Sequence, residues 1–156
     1  TLDRSSAASD VYKRQVLNFG KQFTQRPTRL KGYFKYTSVE INKSNDEMKY
    51  LIGQPDTCQI FIALGAWSEP VEIRTKPSDR KLFDKNDPHI IAYADMYSGK
   101  SVTEYTPFTL ELEYRDTDRI PTYIVVVASA SKYGDYFTGG DGSVLFLDDF
   151  TLEYDY

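Results

Sequence analysis

Seven short segments of the chain have the character of strands, most of them with alternating apolar and polar residues, and this period of two constrains the fold more than any other feature. They cover residues 30–37, 57–64, 71–75, 89–94, 105–114, 123–130 and 143–154. In YTPFTLELEY (105–114), Phe108, Leu110 and Leu112 fall on one side. Thr109 and Glu111 fall on the other. Successive side chains of a strand point to opposite faces, so each pattern predicts a strand with one buried face.

Clusters of Pro, Gly, Asp and Asn separate these segments, which is typical of antiparallel sandwiches. The segment YIVVVASA (123–130) is apolar on both sides and predicts a central strand covered on both faces. Residues 78–88 have room for one short helical turn, and residues 41–56 form a polar surface connection. The prediction is an all-β fold, an antiparallel β-sandwich.

The first fifteen residues, TLDRSSAASDVYKRQ, differ from the rest because they lack alternation and are mostly polar. They closely resemble a peptide that arises when sequencing-adapter DNA is translated at the edge of an assembled contig. The alternative is a flexible N-terminal tail. We therefore treat residues 1–15 as a non-native or disordered leader and expect one domain over residues 16–156.

Composition argues against several classes of partner. The formal net charge is −4, with 19 Lys and Arg against 23 Asp and Glu, so no basic field attracts nucleic acid. No apolar run approaches the roughly 20 residues of a membrane-spanning helix. With one cysteine, the chain cannot form an internal disulfide.

Catalytic motifs are also scarce. The single histidine, His89, opens an apolar strand after Asp-Pro, and no Gly-x-Ser-x-Gly motif accompanies it. Cys58 lies on an apolar alternating face, which predicts an inert core residue. One Cys and one His do not make a zinc site, and GGDGS lacks the Lys-Ser/Thr of a phosphate loop. We assign no catalytic residue.

Two adjacent acids, Asp148 and Asp149, interrupt the alternation of the last segment. The shift predicts a β-bulge that turns one of them toward the core or a neighbouring loop. A buried carboxylate needs a partner, which would be backbone N–H groups or an arginine, or else a structural Ca²⁺. Calcium is the one cofactor that the sequence suggests.

The abundance of tyrosine suits sugar recognition, because pyranose rings stack on exposed aromatic faces. Trp67 follows a strand end, where we expect it to be exposed. Tyr93, Tyr97, Tyr133 and Tyr136 lie on strand ends or loops. The alternative for each tyrosine is a ring packed in the core with its hydroxyl in water.

The glycine-rich loop SKYGDYFTGGDGS (131–143) connects the doubly covered segment to the last strand. We predict that it has a structural role, in which its glycines adopt positive φ and Tyr133 and Tyr136 pack against it. The alternative is a ligand role for Asp135, Tyr136 and Asp141.

Several long motifs carry a family resemblance: FGKQFTQRPTRLKGYFKYT, DTCQIFIALGAW, DPHIIAYA, and the run from FTLELEY to LEYD. From about Val16 to Tyr156 the chain resembles the putative carbohydrate metabolism domain family of Bacteroidetes. The resemblance implies a jelly-roll sandwich similar to carbohydrate-binding modules, often carried on envelope lipoproteins. It implies no catalytic residues.

Family members carry further strands, a Trp-rich opening and a Gly-rich segment before the RPT motif. The resemblance therefore implies that residues 16–156 are the C-terminal two-thirds of the domain and that its first strands are missing. Such a sandwich should have an unpaired sheet edge and an uncovered apolar face.

These observations lead to three functional hypotheses. The first is a non-catalytic module that binds or handles polysaccharide or oligosaccharide on a bacterial cell-envelope protein, at the outer membrane surface or in the periplasm. The alternative is a structural or adhesive sandwich that contacts other envelope proteins. The third is a glycoside hydrolase, which needs two carboxyls about 5–10 Å apart.

Overall fold

The computed structural model describes residues 16–155, so the prediction about residues 1–15 lies outside the described residues. Ten strands form the described part. They are β1 (Val16–Phe19), β2 (Lys21–Gln22), β3 (Arg29–Thr37), β4 (Cys58–Gly65), β5 (Val71–Arg74), β6 (Ile90–Ser98), β7 (Val102–Glu111), β8 (Glu113–Tyr114), β9 (Tyr123–Ser129) and β10 (Val144–Glu153).

The strands form antiparallel sheets, which confirms the predicted all-β sandwich. A five-stranded sheet has the order β2-β9-β4-β6-β8, and a three-stranded sheet has the order β10-β3-β7. A two-stranded ribbon pairs β1 with β5. Six of the seven predicted segments are single strands. The segment 105–114 divides into β7 and β8, which belong to different sheets, so the expectation of one continuous strand there is wrong. Neither β1 nor β2 was predicted. β2 has only two residues, both polar, and the four residues of β1, VLNF, do not alternate apolar and polar side chains.

The main core lies between the three-stranded and five-stranded sheets. On β4, Ile60, Ile62 and Leu64 are fully buried in it, as the alternation predicts. Leu30 and Phe34 of β3 face them from the other sheet. Burying a side chain of this size contributes roughly 1.5–3 kcal/mol, so this interface is the main source of stability.

A second, smaller core covers the opposite face of the five-stranded sheet. Phe61, Ala63 and Val125 point into it, and Trp67 and Phe83 pack on them from connecting segments. β9 contributes side chains to both cores, which confirms that it is covered on both faces. It is not the central strand, however, because that position belongs to β4.

The connections contain only short helical turns. The polar connection holds a 3₁₀ helix, Asp46–Leu51, which begins where the Asn45 side chain accepts a hydrogen bond from the Met48 N–H. The predicted turn in residues 78–88 is a 3₁₀ turn, Pro77–Asp79. Among residues 16–155, no helix has the length and apolarity needed to cross a membrane.

The last strand contains the predicted bulge. Its register with β3 shifts between Asp148 and Thr151, and Asp149 adopts a left-handed φ of 52°. Both aspartates are exposed, so the expectation that one of them is buried is wrong. The left-handed residue bends the strand without turning either carboxylate toward the core.

An open apolar groove of about 710 Å³ lies on the side of the sandwich where β2 and β9 face β10. Its wall includes Leu17, Phe19, Ile124, Phe150 and Leu152. Among residues 16–155, this groove leaves an apolar surface open. The absence of the first strands itself stays a prediction.

A buried carboxylate anchors the glycine-rich loop. Asp56, 1% exposed, accepts hydrogen bonds from the Ser131 hydroxyl at 2.7 Å and from the Gly140 N–H at 2.9 Å. Its other oxygen accepts from the Thr57 N–H at 2.9 Å. Because Ser131 and Gly140 stand near opposite ends of the loop, one side chain fixes the path of both.

The loop glycines are required for different reasons. Gly142 has a φ of 107° in the turn that enters β10, as predicted. At Gly140 the reason is space, since a Cβ there would lie 2.5 Å from the Val39 side chain. A further positive φ belongs to Phe137, at 55°, which the sequence did not indicate. The predicted structural role of the loop therefore rests on close approach as much as on positive φ.

Candidate functional site

The outer face of the five-stranded sheet changes character along its length. At one end Phe83 packs on Phe61, with ring centroids 4.9 Å apart, and Phe61 stacks on Tyr93 at 5.9 Å. Toward the other end of β6 the covering segment stops, and Tyr97 is 43% exposed. An aromatic surface therefore emerges into solvent at this end.

Four polar or aromatic residues surround Tyr97, and we call the group of five the Tyr97 site: Gln59, Asp95, Tyr97, Lys132 and Tyr133. The Lys132 ammonium lies 4.5 Å from the centroid of the Tyr97 ring and 5.1 Å from that of Tyr133. The Gln59 amide donates to the Tyr97 hydroxyl at 3.2 Å. Cation–π contacts hold the lysine between the two rings.

The carboxylate of Asp95 lies between two tyrosines of the same strand. It accepts a hydrogen bond from the Tyr93 hydroxyl at 3.0 Å. Burial, together with the neighbouring Asp95 charge, raises the pKa of both Tyr93 and Tyr97 above the ordinary tyrosine value. Both phenols therefore stay protonated at neutral pH and keep their hydrogen-bonding capacity.

The loop anchor sets the position of Lys132. The Lys132 N–H donates to the Thr57 carbonyl at 2.7 Å, and the adjacent Ser131 is held by Asp56. These two contacts place the start of the loop against the first residues of β4. The position of Lys132 beside Tyr97 therefore depends on the backbone path of the loop and not on contacts of the lysine side chain.

The Tyr97 site combines a partly exposed ring with a lysine over the ring and further polar groups beside it. Such a surface can stack on the apolar face of a sugar and bond to its hydroxyls through Lys132, Gln59 and Asp95.

Trp67 is buried rather than exposed, so that expectation is wrong. The ring is 8% exposed, and its indole N–H donates to Asp87 at 3.1 Å. It packs over Gly65, where a Cβ would approach the ring to 2.3 Å. The chain folds back beyond β4 and covers the indole, so that Trp67 offers no stacking face.

Asp135 and Tyr136 belong to a separate cluster around Arg80. The Arg80 guanidinium lies 4.6 Å from the centroid of the Tyr136 ring and pairs with Glu47. Burial raises the pKa of the Asp135 carboxyl, and Arg80 opposes part of that effect. Neither Tyr136 nor Tyr133 is fully buried. The loop therefore combines a structural anchor with partly open rings.

The remaining predicted residues do not join either cluster. Asp141 lies at the tip of the loop, where its carboxylate pairs with Lys43 at 3.4 Å and its N–H donates to Asn42. Asp148 and Asp149 have no third acid beside them. Within residues 16–155, no three His, Cys, Asp or Glu side chains come together as a metal site requires.

Cys58 is the core residue that its alternating face predicts, and His89 lies in a turn. Cys58 is fully buried, and burial raises the pKa of its thiol to about 11, so the thiolate is absent at neutral pH. His89 is an exposed turn residue whose Nδ1 lies 2.8 Å from Asp87. Neither contributes to the Tyr97 site.

Sequence reasoning missed Gln59, Asp95 and Lys132. A signal was present for Asp95, because Tyr93, Asp95 and Tyr97 alternate and must share one face of β6. None was present for the others. Gln59 lies opposite Tyr97 only through the β4–β6 register, and Lys132 is brought there by the loop.

Comparison with known proteins gives the family. The model of the family described as "Putative carbohydrate metabolism domain" matches residues 2–153. The chain belongs to this family. No curated protein sequence matches it.

Two solved structures have the same fold. Both are described as a putative glycoside hydrolase, one from Bacteroides thetaiotaomicron and one from Bacteroides vulgatus. The first has a TM-score of 0.70 at 24% identity over 90% of this chain, and the second 0.68 at 23% over 95%. The chain spans 41% and 58% of their lengths. At this identity the likeness shows the fold.

Proposed function

We propose that the protein is a non-catalytic glycan-binding module and that the Tyr97 site is its binding surface. The observation that carries the proposal is the exposed Tyr97 ring, with Lys132 over the ring and Gln59 at its hydroxyl. Membership of a carbohydrate-related family supports it. The proposed location, by the same family resemblance, is the bacterial cell envelope.

The chemistry of the site favours a sugar over an apolar ligand. An apolar ligand would gain little from the three polar side chains that surround the tyrosine, which are Lys132, Gln59 and Asp95. A pyranose needs both kinds of contact, since its C–H face stacks while its equatorial hydroxyls exchange hydrogen bonds. The site is open rather than enclosed, which suits an extended oligosaccharide.

Replacing Tyr97 with alanine should reduce glycan affinity at least about tenfold while leaving the fold intact. Losing an aromatic anchor of a binding surface costs about 1.4 kcal/mol or more. The half-exposed ring contributes little to stability, so unfolding should shift by about 0.5 kcal/mol. A glycan array identifies the ligand, and isothermal titration of both variants measures the change.

The matched control is Tyr50→Ala, because Tyr50 is also an exposed tyrosine but lies outside the Tyr97 site. This variant should bind like the wild type. Failure of the wild type to bind any glycan would reject the proposed function. Equal affinity of Tyr97→Ala and wild type would reject the site and keep the function open.

One observation favours glycoside hydrolysis as a second candidate. Burial raises the pKa of the Asp135 carboxyl, as a general acid requires. Arg80, whose charge acts on Asp135, also forms an ion pair with Glu47, a second carboxylate. In this case Asp135→Asn would abolish hydrolysis of a glycan that the wild type cleaves. Release of reducing ends by the wild type and not by the variant would support it.

Asp135→Asn also has a stability consequence with a definite sign. Burial holds the folded-state pKa above the unfolded value, so ionised Asp135 destabilises the fold at neutral pH. The penalty disappears as the pH falls through the raised pKa. Asn should therefore increase the unfolding midpoint near pH 7 but not near pH 4, in thermal melts at both values. An equal gain at both would contradict this.

A further inference from the structure

The outer face of the three-stranded sheet carries three large exposed rings. Tyr33, Tyr105 and Phe146 are 42%, 45% and 49% exposed and come from β3, β7 and β10 respectively. Along β3 the buried and open positions alternate from Leu30 to Thr37. The rings therefore point away from the core and pack on neither sheet.

A lysine lies between these rings. The Lys35 ammonium is 4.5 Å from the centroid of the Tyr105 ring and 5.1 Å from that of Phe146. The register places Lys35 directly opposite Phe146 and Tyr33 two residues away on the same face. We call Tyr33, Lys35, Tyr105 and Phe146 the Lys35 face.

Among residues 16–155, Lys35 has aromatic neighbours but no carboxylate within ion-pair distance. None of the ion pairs among residues 16–155 includes it. Lys31, four residues earlier on the same face, pairs with Glu153 at 3.4 Å. Lys35 is therefore a positioned cation with aromatic neighbours and capacity for an external anion.

We infer that the Lys35 face binds an acidic polysaccharide, with uronate rings stacked on the aromatics and a uronate carboxylate paired with Lys35. The three strands span two strand spacings, about 10 Å, which gives room for more than one sugar ring. Asp148 lies opposite Tyr33, two residues along β10 from the Phe146 that pairs with Lys35. There it can accept a hydrogen bond from a sugar hydroxyl.

The composition of the face favours a glycan over a protein partner. Protein interface cores are depleted in lysine and aspartate. On this face, by contrast, Lys35 lies among the rings and Lys31 follows on the same side of β3. The inference rests on the proposed function only for its ligand class. The two sites lie on different sheets, so that an experiment can reject either proposal without rejecting the other.

The test uses the 156-residue chain with oligogalacturonate and with its fully methyl-esterified form, titrated calorimetrically at low and at physiological salt. The wild type should bind the acidic form at least about tenfold more tightly, and the difference should shrink with salt. Lys35→Gln should lose about tenfold for the acidic form and nothing for the ester. Tyr105→Ala should weaken both.

The matched control is Lys100→Gln, which makes the same charge change in the turn between β6 and β7 and should bind both forms like the wild type. Equal losses in Lys100→Gln and Lys35→Gln would overturn the inference, since they would indicate a general charge effect. So would absence of binding to the acidic form. Self-association that Tyr105→Ala abolishes, without glycan binding, would instead identify a protein contact.

Tyr97→Ala separates this inference from the proposed function. If the Lys35 face binds acidic glycan, this variant should keep the preference for the acidic form over the ester. If only the Tyr97 site binds, Tyr97→Ala loses all binding and Lys35→Gln loses none, which overturns the inference while leaving the proposed function in place.

Discussion

Asp56→Ala is expected to lower the free energy of unfolding by about 3–5 kcal/mol, the largest effect among the polar residues. The carboxylate is 1% exposed and accepts from the Ser131 hydroxyl and from the Gly140 and Thr57 N–H groups. A hydrogen bond to a charged group contributes about 1.5–3 kcal/mol, and alanine leaves three donors without this acceptor. Denaturant unfolding of both proteins measures the difference.

Asp141→Ala is the matched control, because it removes a carboxylate from the tip of the same loop. Its side chain is exposed and pairs with Lys43 at 3.4 Å, so the loss should be below about 1 kcal/mol. A loss in Asp56→Ala no greater than that in Asp141→Ala would show that Asp56 does not anchor the loop.

Asp56→Ala should also reduce glycan binding, although Asp56 is too deeply buried to touch a ligand. Asp56 fixes Ser131, and Ser131 precedes Lys132, which completes the Tyr97 site. A structural defect in the loop is therefore transmitted to the proposed binding surface. Restoring binding in Asp56→Ala by a stabilising osmolyte would identify the effect as positional.

Trp67→Ala is expected to cost about 3–5 kcal/mol, as truncation of a large buried aromatic does. The indole contacts Phe83, with ring centroids 6.2 Å apart, and donates to Asp87. The Asp87 carboxylate would lose this donor, although it keeps the His89 N–H. Thermal and denaturant unfolding should both show the loss.

Trp67→Phe is the informative companion, since it keeps a ring in the second core but removes the N–H donor. We expect an intermediate loss of about 1–2 kcal/mol, from a smaller cavity and one missing hydrogen bond. A Trp67→Ala protein with unchanged stability and lost glycan binding would contradict the buried position. Because of the expected unfolding, Trp67→Ala is not a usable test of the binding site, and Tyr97→Ala takes that place.

The strand pattern was predictable because it depends on a local period. Every predicted segment contains strand structure, although 105–114 divides into two strands, and the inward residues of β4 and β7 are those that the alternation selects. The bulge at Asp148 and Asp149 was also visible as a break in the period. The orientation of those two carboxylates was not, because it depends on a left-handed φ at one residue.

The exposure of individual aromatics could not be predicted in the same way. Trp67 and Tyr97 both stand near strand ends, yet one is buried and the other is open. The difference lies in the segment around Phe83, which crosses the outer face of the five-stranded sheet and stops before Tyr97. No local pattern records where a distant segment will lie.

The sequence by itself therefore determined the fold class, the longer strands and the side of each that is buried, because backbone geometry alternates side chains regardless of what surrounds them. Only the tertiary structure decided which rings meet solvent and which polar groups meet those rings. Lys132 and Tyr97 are 35 positions apart in the sequence, and Lys35 and Tyr105 are 70 positions apart. Sheet pairing brings the second pair together, and sheet pairing with a carboxylate-anchored loop brings the first. Long-range contacts of this kind depend on register and loop path, which local periodicity does not encode.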